Sequence, residues 1–323
     1  MANNNHIFRQ SILDFPKQFE WESAVENENA LVRKNAVIVA GMGGSHLAGD
    51  FLQMGSLPVR LSIHSGYGLP THIPDDLLRE SLLIASSYSG NTEETLDAYE
   101  MARERNMAIA IVAGGGELLE RAKSAGIPHV DIPNTGIAPR MAVGFQFRAL
   151  ARILGYGDIL EKTKSLASAL NPEALEGRGK ELSEKLQGKI PLVYASQRNF
   201  PIAYYWKAIL NETGKVQAFY NVFPELCHNE IAAGLGPDFT PVFLRDEDDH
   251  ERIKKRMNVL KELYEGRGIR TVEGEIEGES LWHKVFSGVL LAAWTAYHLA
   301  EASGVEANDV PVIEEFKKSV DRD

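Results

Sequence analysis

The chain has 323 residues, a formal charge of −11, 44% hydrophobic residues and one cysteine, Cys227. Its length admits roughly two domains at about 150 residues each, while the lone cysteine excludes disulfide scaffolds and cysteine-rich zinc modules and points to a reducing compartment. The acidic balance argues against nucleic-acid binding by bulk electrostatics, but leaves room for a local anion site.

The polar start Met1-Ala2-Asn3-Asn4-Asn5-His6 lacks the basic and apolar regions of a signal peptide, so no targeting signal is expected. Short β-branched runs then alternate with helix-length amphipathic segments, the pattern of an α/β fold with a parallel sheet. Ala36 to Ala40 reads as a buried strand, followed by the turn Gly41-Met42-Gly43-Gly44-Ser45 and a helix from His46. Val59 to Ile63 and Leu82 to Ser86 read as the next strands, the second running through Ser87-Tyr88-Ser89-Gly90-Asn91 into a helix from Thr92. Strands at Ala108 to Ala113 and His129 to Ile132 flank a helix at Glu117 to Ala125, and a helix over Met141 to Leu154 precedes a break at Gly155-Tyr156-Gly157-Asp158. The break places a domain boundary between 155 and 156. After Asn171 to Gly188, read as part linker and part exposed helix, the plan repeats more loosely. Strands are expected at Pro191 to Ser196, Pro241 to Leu244 and Arg270 to Val272, with helices at Pro201 to Asn211, His250 to Tyr264, Ser280 to Ser303 and Ile313 to Val320. The nearly charge-free run Val285 to Ala300 has 16 residues, short of the roughly 20 a membrane span requires, so a buried helix and a cytoplasmic protein are expected.

Ser87-Tyr88-Ser89-Gly90-Asn91-Thr92 brings hydroxyls and free backbone N–H groups to the positive end of a helix dipole, as a phosphate site requires. It has no lysine, which separates it from a nucleoside-triphosphate P-loop and favours a phosphomonoester. A plain N-cap role for Thr92, with Glu93 and Glu94 in the first turn, also fits. The spacing at Gly41 to Ser45 is G-x-G-G-S rather than G-x-G-x-x-G, and His64-Ser65 stand where a ribose-binding acid would end the next strand, so a nicotinamide cofactor is disfavoured. A turn that needs glycine for backbone reasons alone is the other reading. The second half has Gln197-Arg198-Asn199-Phe200 at the matching place, without glycines; one half is therefore expected to bind the anion and the other to serve other functions. The nine histidines show no H-x-x-x-H or H-x-H spacing, so no metal site and no cofactor are expected.

Taken with Ala138-Pro139-Arg140, Asn211-Glu212 followed by Lys215, Pro224-Glu225 followed by His228-Asn229, and Pro311 followed by Lys317, these motifs resemble the sugar isomerase (SIS) double-domain proteins. The resemblance is strongest to the bifunctional phosphoglucose/phosphomannose isomerases, and the 16-residue separation of Glu212 and His228 also agrees. It implies two SIS-type three-layer αβα domains, each with a mainly parallel sheet: residues 1–155 with the phosphate loops, and 156–323 with the catalytic groups. It implies a metal-independent aldose–ketose isomerase that interconverts glucose 6-phosphate, and mannose 6-phosphate, with fructose 6-phosphate through a cis-enediol. A non-catalytic sugar-phosphate sensor or another phosphosugar isomerase is the alternative.

The same resemblance assigns the phosphate to Gly43, Gly44, Ser45, Ser87, Ser89 and Thr92, and the proton transfer between C1 and C2 to Glu212. Glu212 falls near the C-terminal end of a helix, where the dipole disfavours a carboxylate's charge and makes it a better proton acceptor. His228 is implied to open the sugar ring from the neighbouring subunit of a homodimer, a proton exchange suited to an imidazole. Lys317 is implied to assist ring opening, and Arg140 to stabilise the enediolate with a permanent cation. Plain surface roles compete for Glu212, Lys317 and Arg140, and a structural role for His228. Cys227 lies in no cysteine-enzyme motif and is expected to be a small hydrophobe. Three departures stand out. Val310 replaces a polar residue before Pro311, which bears on glucose against mannose. His46 follows the glycine turn where a small residue is usual. Thr213-Gly214 replaces more polar residues after the base.

Overall fold

A computed structural model describes residues 5–320. The chain forms two compact units, one spanning Asp14–Ala169 and the other joining the first helix, α1 (Asn5–Leu13), to everything from Leu170 onward. The division therefore falls 14 residues beyond the glycine-rich break at 155/156. Helices α7 (Gly157–Lys164) and α8 (Leu166–Ala169), numbered in chain order, stay with the first unit because the buried Arg148 guanidinium donates to Leu160 O at 3.2 Å and Thr163 Oγ1 at 3.3 Å. A buried cation with that many donors holds whatever carbonyls reach it, so the break is a turn within a unit.

The first unit carries β1 (Ala36–Ala40), α2 (Gly44–Gln53), β2 (Arg60–His64), α3 (Asp75–Arg79), β3 (Leu82–Ser87), α4 (Glu93–Glu104), β4 (Ala108–Ala113), α5 (Gly116–Ala125), β5 (His129–Asp131) and α6 (Val143–Leu154). All pairings are parallel, in the order β2-β1-β3-β4-β5. Every residue of β3 is buried, so both sheet faces are covered, which is why these strands read as unbroken apolar runs. Ile38, Ala40 and Leu83 pack with Leu69, Leu78, Ala98 and Ala102, while Ala85, Ile111 and Ala113 pack with Tyr99, Leu118 and Ala122. From β1 the chain first goes to one side, to β2, and then to the other, to β3. The crevice between the C-terminal ends of β1 and β3 is thus the topological switch point, where such sheets bind ligands.

The second unit carries α9 (Pro172–Leu186), β6 (Ile190–Ser196), α10 (Phe200–Glu212), β7 (Phe219–Phe223), β8 (Phe239–Arg245), α11 (Glu251–Glu265), β9 (Val272–Glu275), α12 (Leu281–Ser303) and α13 (Pro311–Val320). Its parallel sheet runs β7-β6-β8-β9, so β6 and β8 occupy the places of β1 and β3. Two elements depart from expectation. β7 pairs along the edge of β6 where no strand was read. The stretch after Asn171 is a full helix, capped by Asn171 Oδ1 on Ala174 N at 3.1 Å, and belongs to the core. A Cβ added at Gly179 would stand 2.4 Å from Trp294 Cβ, so that glycine lets α9 lie close against α12. The run read as a buried helix, Val285 to Ala300, is the heart of α12, and no helix among the described residues is long and apolar enough to cross a membrane.

Candidate active site

Strand pairing brings the two glycine and serine loops of the first unit together, since Ala40 is in register with Ala85 and each strand runs straight into its loop. Gly41 is required there: a Cβ would lie 2.6 Å from Ser86 O. Gly43 precedes α2 at φ 54°, a left-handed backbone suited to glycine. Ser45, in the first turn of α2, is the hub between loops. Its carbonyl accepts from Ser86 Oγ at 3.1 Å, and its Oγ accepts from Tyr88 N at 3.2 Å and Gln146 Nε2 at 2.7 Å. With both lone pairs engaged, the Ser45 hydroxyl has its proton left to donate.

Beyond Ser45 the other hydroxyls converge. Ser87 Oγ lies 2.8 Å from Thr92 Oγ1 and 3.5 Å from Ser89 Oγ, and accepts from Gly90 N at 3.1 Å. Thr92 stands at the N-cap of α4, yet its side chain makes no capping bond and turns to Ser87 instead. The plain N-cap reading of Thr92 therefore fails, and the start of α4 keeps its dipole without a side-chain cap. Asn91 serves the scaffold, its Oδ1 accepting Glu117 N at 2.9 Å at the head of α5.

Arg140 sits in a short 3-10 turn, Pro139–Met141, that packs on the glycine turn: a Cβ at Gly44 would be 3.2 Å from Pro139 O and 3.5 Å from Arg140 Cα. It is buried, so the plain surface arginine is excluded. The turn thus sets the backbone of the buried Arg140 against Gly44. His46 is buried as well, its Nδ1 2.8 Å from Asp50 Oδ2 one turn along α2.

The remaining expected residues lie in the second unit. Glu212 ends α10, half-buried, where the Asn211 side chain donates to Val216 O at 2.9 Å. Lys215, at φ 54°, donates to both Glu212 O and Asp309 O, each at 2.5 Å, tying the end of α10 to the approach to α13. Thr213 is fully buried and Gly214 lies close to Ala296 of α12, so the pair that follows Glu212 lets the two helices meet. His228 is exposed at the end of the 3-10 turn Glu225–His228, and Cys227 packs partly buried against the apolar cluster of Leu226, Phe223 and Tyr264. Lys317 pairs with Glu314 at 3.0 Å on α13, a helix with no buried residue; Val310 accepts the first backbone bond of that helix, from Ile313 N at 3.0 Å.

The second unit's own switch-point crevice is filled by charge. Asn199 Nδ2 donates to Asp246 Oδ2 at 3.0 Å, and the buried Lys284 ammonium lies 2.8 Å from both Asp246 Oδ1 and Asp248 Oδ2. Burial would push the Asp246 carboxyl up, but hydrogen bonds from Lys284, Asn199 and the Asp248 N–H hold it below the usual range on balance. Beside it Asp249 is buried with weaker support, and burial pushes its carboxyl up. Among the described residues no group of three or more His, Cys, Asp or Glu is placed to hold a metal ion.

Gln146 was not legible in the sequence as a site residue. Its signal was an amide set between Phe145 and Phe147 of α6, fully buried here with its Nε2 on Ser45.

Residues 175–320 match the family model described as the bacterial phospho-glucose isomerase C-terminal SIS domain. A bifunctional phosphoglucose/phosphomannose isomerase of Aquifex aeolicus is 32% identical over 317 residues, covering 95% of this chain and 96% of its own. A protein of the same description from Caldicellulosiruptor bescii is 33% identical, covering 90% and 92%. Among solved structures, the C-terminal domain of a glucosamine-fructose-6-phosphate aminotransferase from Francisella tularensis superposes with a TM-score of 0.70 at 16% identity, over 94% of this chain and 98% of that one, a likeness of fold.

Proposed function

The chain belongs to the bifunctional phosphoglucose/phosphomannose isomerase family and is a phosphosugar isomerase; from that premise we propose that it interconverts glucose 6-phosphate and mannose 6-phosphate with fructose 6-phosphate, without a metal. The observation that carries this reading is the convergence of Ser45, Ser87, Ser89 and Thr92 at the switch point of the first sheet. Neutral hydroxyls, the glycine turn at Gly43 and Gly44, and the start of α4 suit a phosphomonoester, which needs donors more than counter-charge. In this scheme His228 exchanges a proton with the ring oxygen, Lys317 assists at the opening sugar, and Glu212 takes the proton from C2 and returns it to C1. Arg140 offsets the charge that gathers on the enediolate oxygens.

A homodimer in which His228 serves the neighbouring subunit fits two features of the second unit. The histidine is exposed, and apolar groups are open to solvent on α13 (Val312, Phe316, Val320) and on the edge strand β7 (Phe219, Tyr220). Substituting Phe316→Glu is expected to yield monomers by light scattering and to abolish turnover. A fully active wild-type monomer would remove the shared site.

The deciding experiment is a coupled assay with glucose 6-phosphate and mannose 6-phosphate on wild type and Glu212→Gln, with and without EDTA. Both substrates should turn over, EDTA should not matter, and the substitution should lower kcat by about 10²- to 10⁴-fold, the usual worth of a general base. Undiminished turnover by the variant would remove Glu212 as the base, and loss with EDTA that zinc restores would end the metal-free scheme. Turnover of glucose 6-phosphate alone would restrict the substrate and locate the cause at Val310.

A further inference from the structure

His228 lies between two anchors of unlike kind. Two residues before it, Leu226 is fully buried in the apolar cluster under β6, β7 and β8. Two residues after it, Glu230 opens a second 3-10 turn, Glu230–Ala233, and its carboxylate is engaged at both oxygens. The Tyr194 hydroxyl donates to Oε1, and Asn221 Nδ2 donates to Oε2 at 2.5 Å. Tyr194 on β6 and Asn221 on β7 are register partners, so the parallel ladder itself sets two donors side by side. Asn229, between the two turns, closes the arrangement: its Oδ1 accepts Glu230 N at 2.6 Å and its Nδ2 donates to Glu225 Oε1 at 3.0 Å.

We propose that Glu230 is a positioning residue for His228, clamping the histidine loop to the sheet through Tyr194 and Asn221. The proposal rests on the reading of His228 as the ring-opening group. An ionised carboxylate suits the place because it is acceptor-only, with an oxygen for each donor. A glutamine there would keep its oxygen for Asn221 and turn an N–H to the Tyr194 hydroxyl, which must then accept instead of donate, so both charge-assisted bonds are lost. The Tyr194 ring is fixed in turn by edge contacts with Phe243 at 5.7 Å and Phe223 at 6.3 Å. Burial, reinforced by the Glu230 carboxylate, pushes its hydroxyl well above the ordinary range, so it stays a donor at any working pH. Without this clamp, the exposed segment His228-Asn229 would be held by Leu226 on one side only, and displacement of a catalytic group by about 1 Å costs on the order of 10²-fold in rate.

The test is a kinetic cycle on the full-length enzyme, with glucose 6-phosphate as substrate and thermal unfolding as the folding control. Glu230→Gln is expected to lower kcat by roughly 10- to 100-fold with KM within about twofold. Tyr194→Phe, which removes a single hydroxyl, should give a smaller loss of the same kind, roughly 3- to 10-fold. In a His228→Ala background, Glu230→Gln should lower kcat by less than about twofold, because its effect passes through the missing imidazole. Multiplicative losses in the double variant, or wild-type kcat in Glu230→Gln while His228→Ala is impaired, would overturn the clamp and leave the role of His228 standing. Wild-type turnover by His228→Ala would overturn both.

Discussion

In the proposed site no lysine faces the phosphate, which would then depend on each hydroxyl separately. Ser87 has the most to lose, because its Oγ lies within reach of Thr92 and Ser89 and also takes the Gly90 N–H. A hydrogen bond to a charged group is worth about 1.5–3 kcal/mol, so Ser87→Ala should raise KM for the sugar phosphate on the order of 10- to 100-fold, measured in the coupled assay. An unchanged KM would place the phosphate elsewhere. That the glycine and serine loops each join a strand to a helix was legible in the sequence, because an apolar run stands before each and an amphipathic segment after it. The depth of Arg140 was not, because nothing local to Ala138-Pro139-Arg140 says that the turn packs on Gly44. Nor was the clamp on Glu230, whose donors lie 36 and nine residues away in sequence and meet only through the register of two strands.

Elements are positioned here by close backbone approaches as much as by apolar faces. Gly90 is the sharpest case: at φ 73° a Cβ there would fall 1.8 Å from Gly115 O, at the loop that begins α5. Gly90→Ala should therefore push the serine loop off β4's exit, lowering the midpoint of thermal unfolding and raising KM together. An alanine variant with wild-type KM would show that the loop tolerates the shift. The same device explains where sequence reading of elements failed. Gly177 and Gly179 made the α9 stretch read as part linker and part exposed helix, whereas Gly179 is the point at which α9 meets Trp294. Strand β7 escaped notice because it is only five residues long, carries Asn221 at its centre and leaves Phe219 and Tyr220 exposed, so it shows neither an unbroken apolar run nor a clean alternation. The helix-length patterns, by contrast, were readable because their periodicity extends over several turns.

At the scale of the whole molecule, the two α/β units repeat one plan with unlike chemistry at the crevice, neutral hydroxyls in the first and paired charges in the second. Asp246, held below its ordinary range, contributes stability that is present at neutral pH and is lost as pH falls through its folded-state value. Asp249 runs the other way: pushed up by burial, it favours the folded state when protonated and opposes it as pH rises through its folded-state value. Asp249→Asn should therefore raise the unfolding midpoint at pH 7, with the gain shrinking towards pH 4. A gain that persists at low pH would assign the effect to packing. Lys284→Met should cost about 3–5 kcal/mol in denaturant unfolding, because it strands the buried Asp246 carboxylate. The filled crevice also fixes a stoichiometry. A phosphate dianion approaching there would meet Asp246 and Asp248 already paired to the Lys284 ammonium, with the Asp249 carboxyl buried beside them. Although the fold offers two switch points, a calorimetric titration with sugar phosphate should thus saturate at one molecule per chain, so a duplicated architecture yields a single seat.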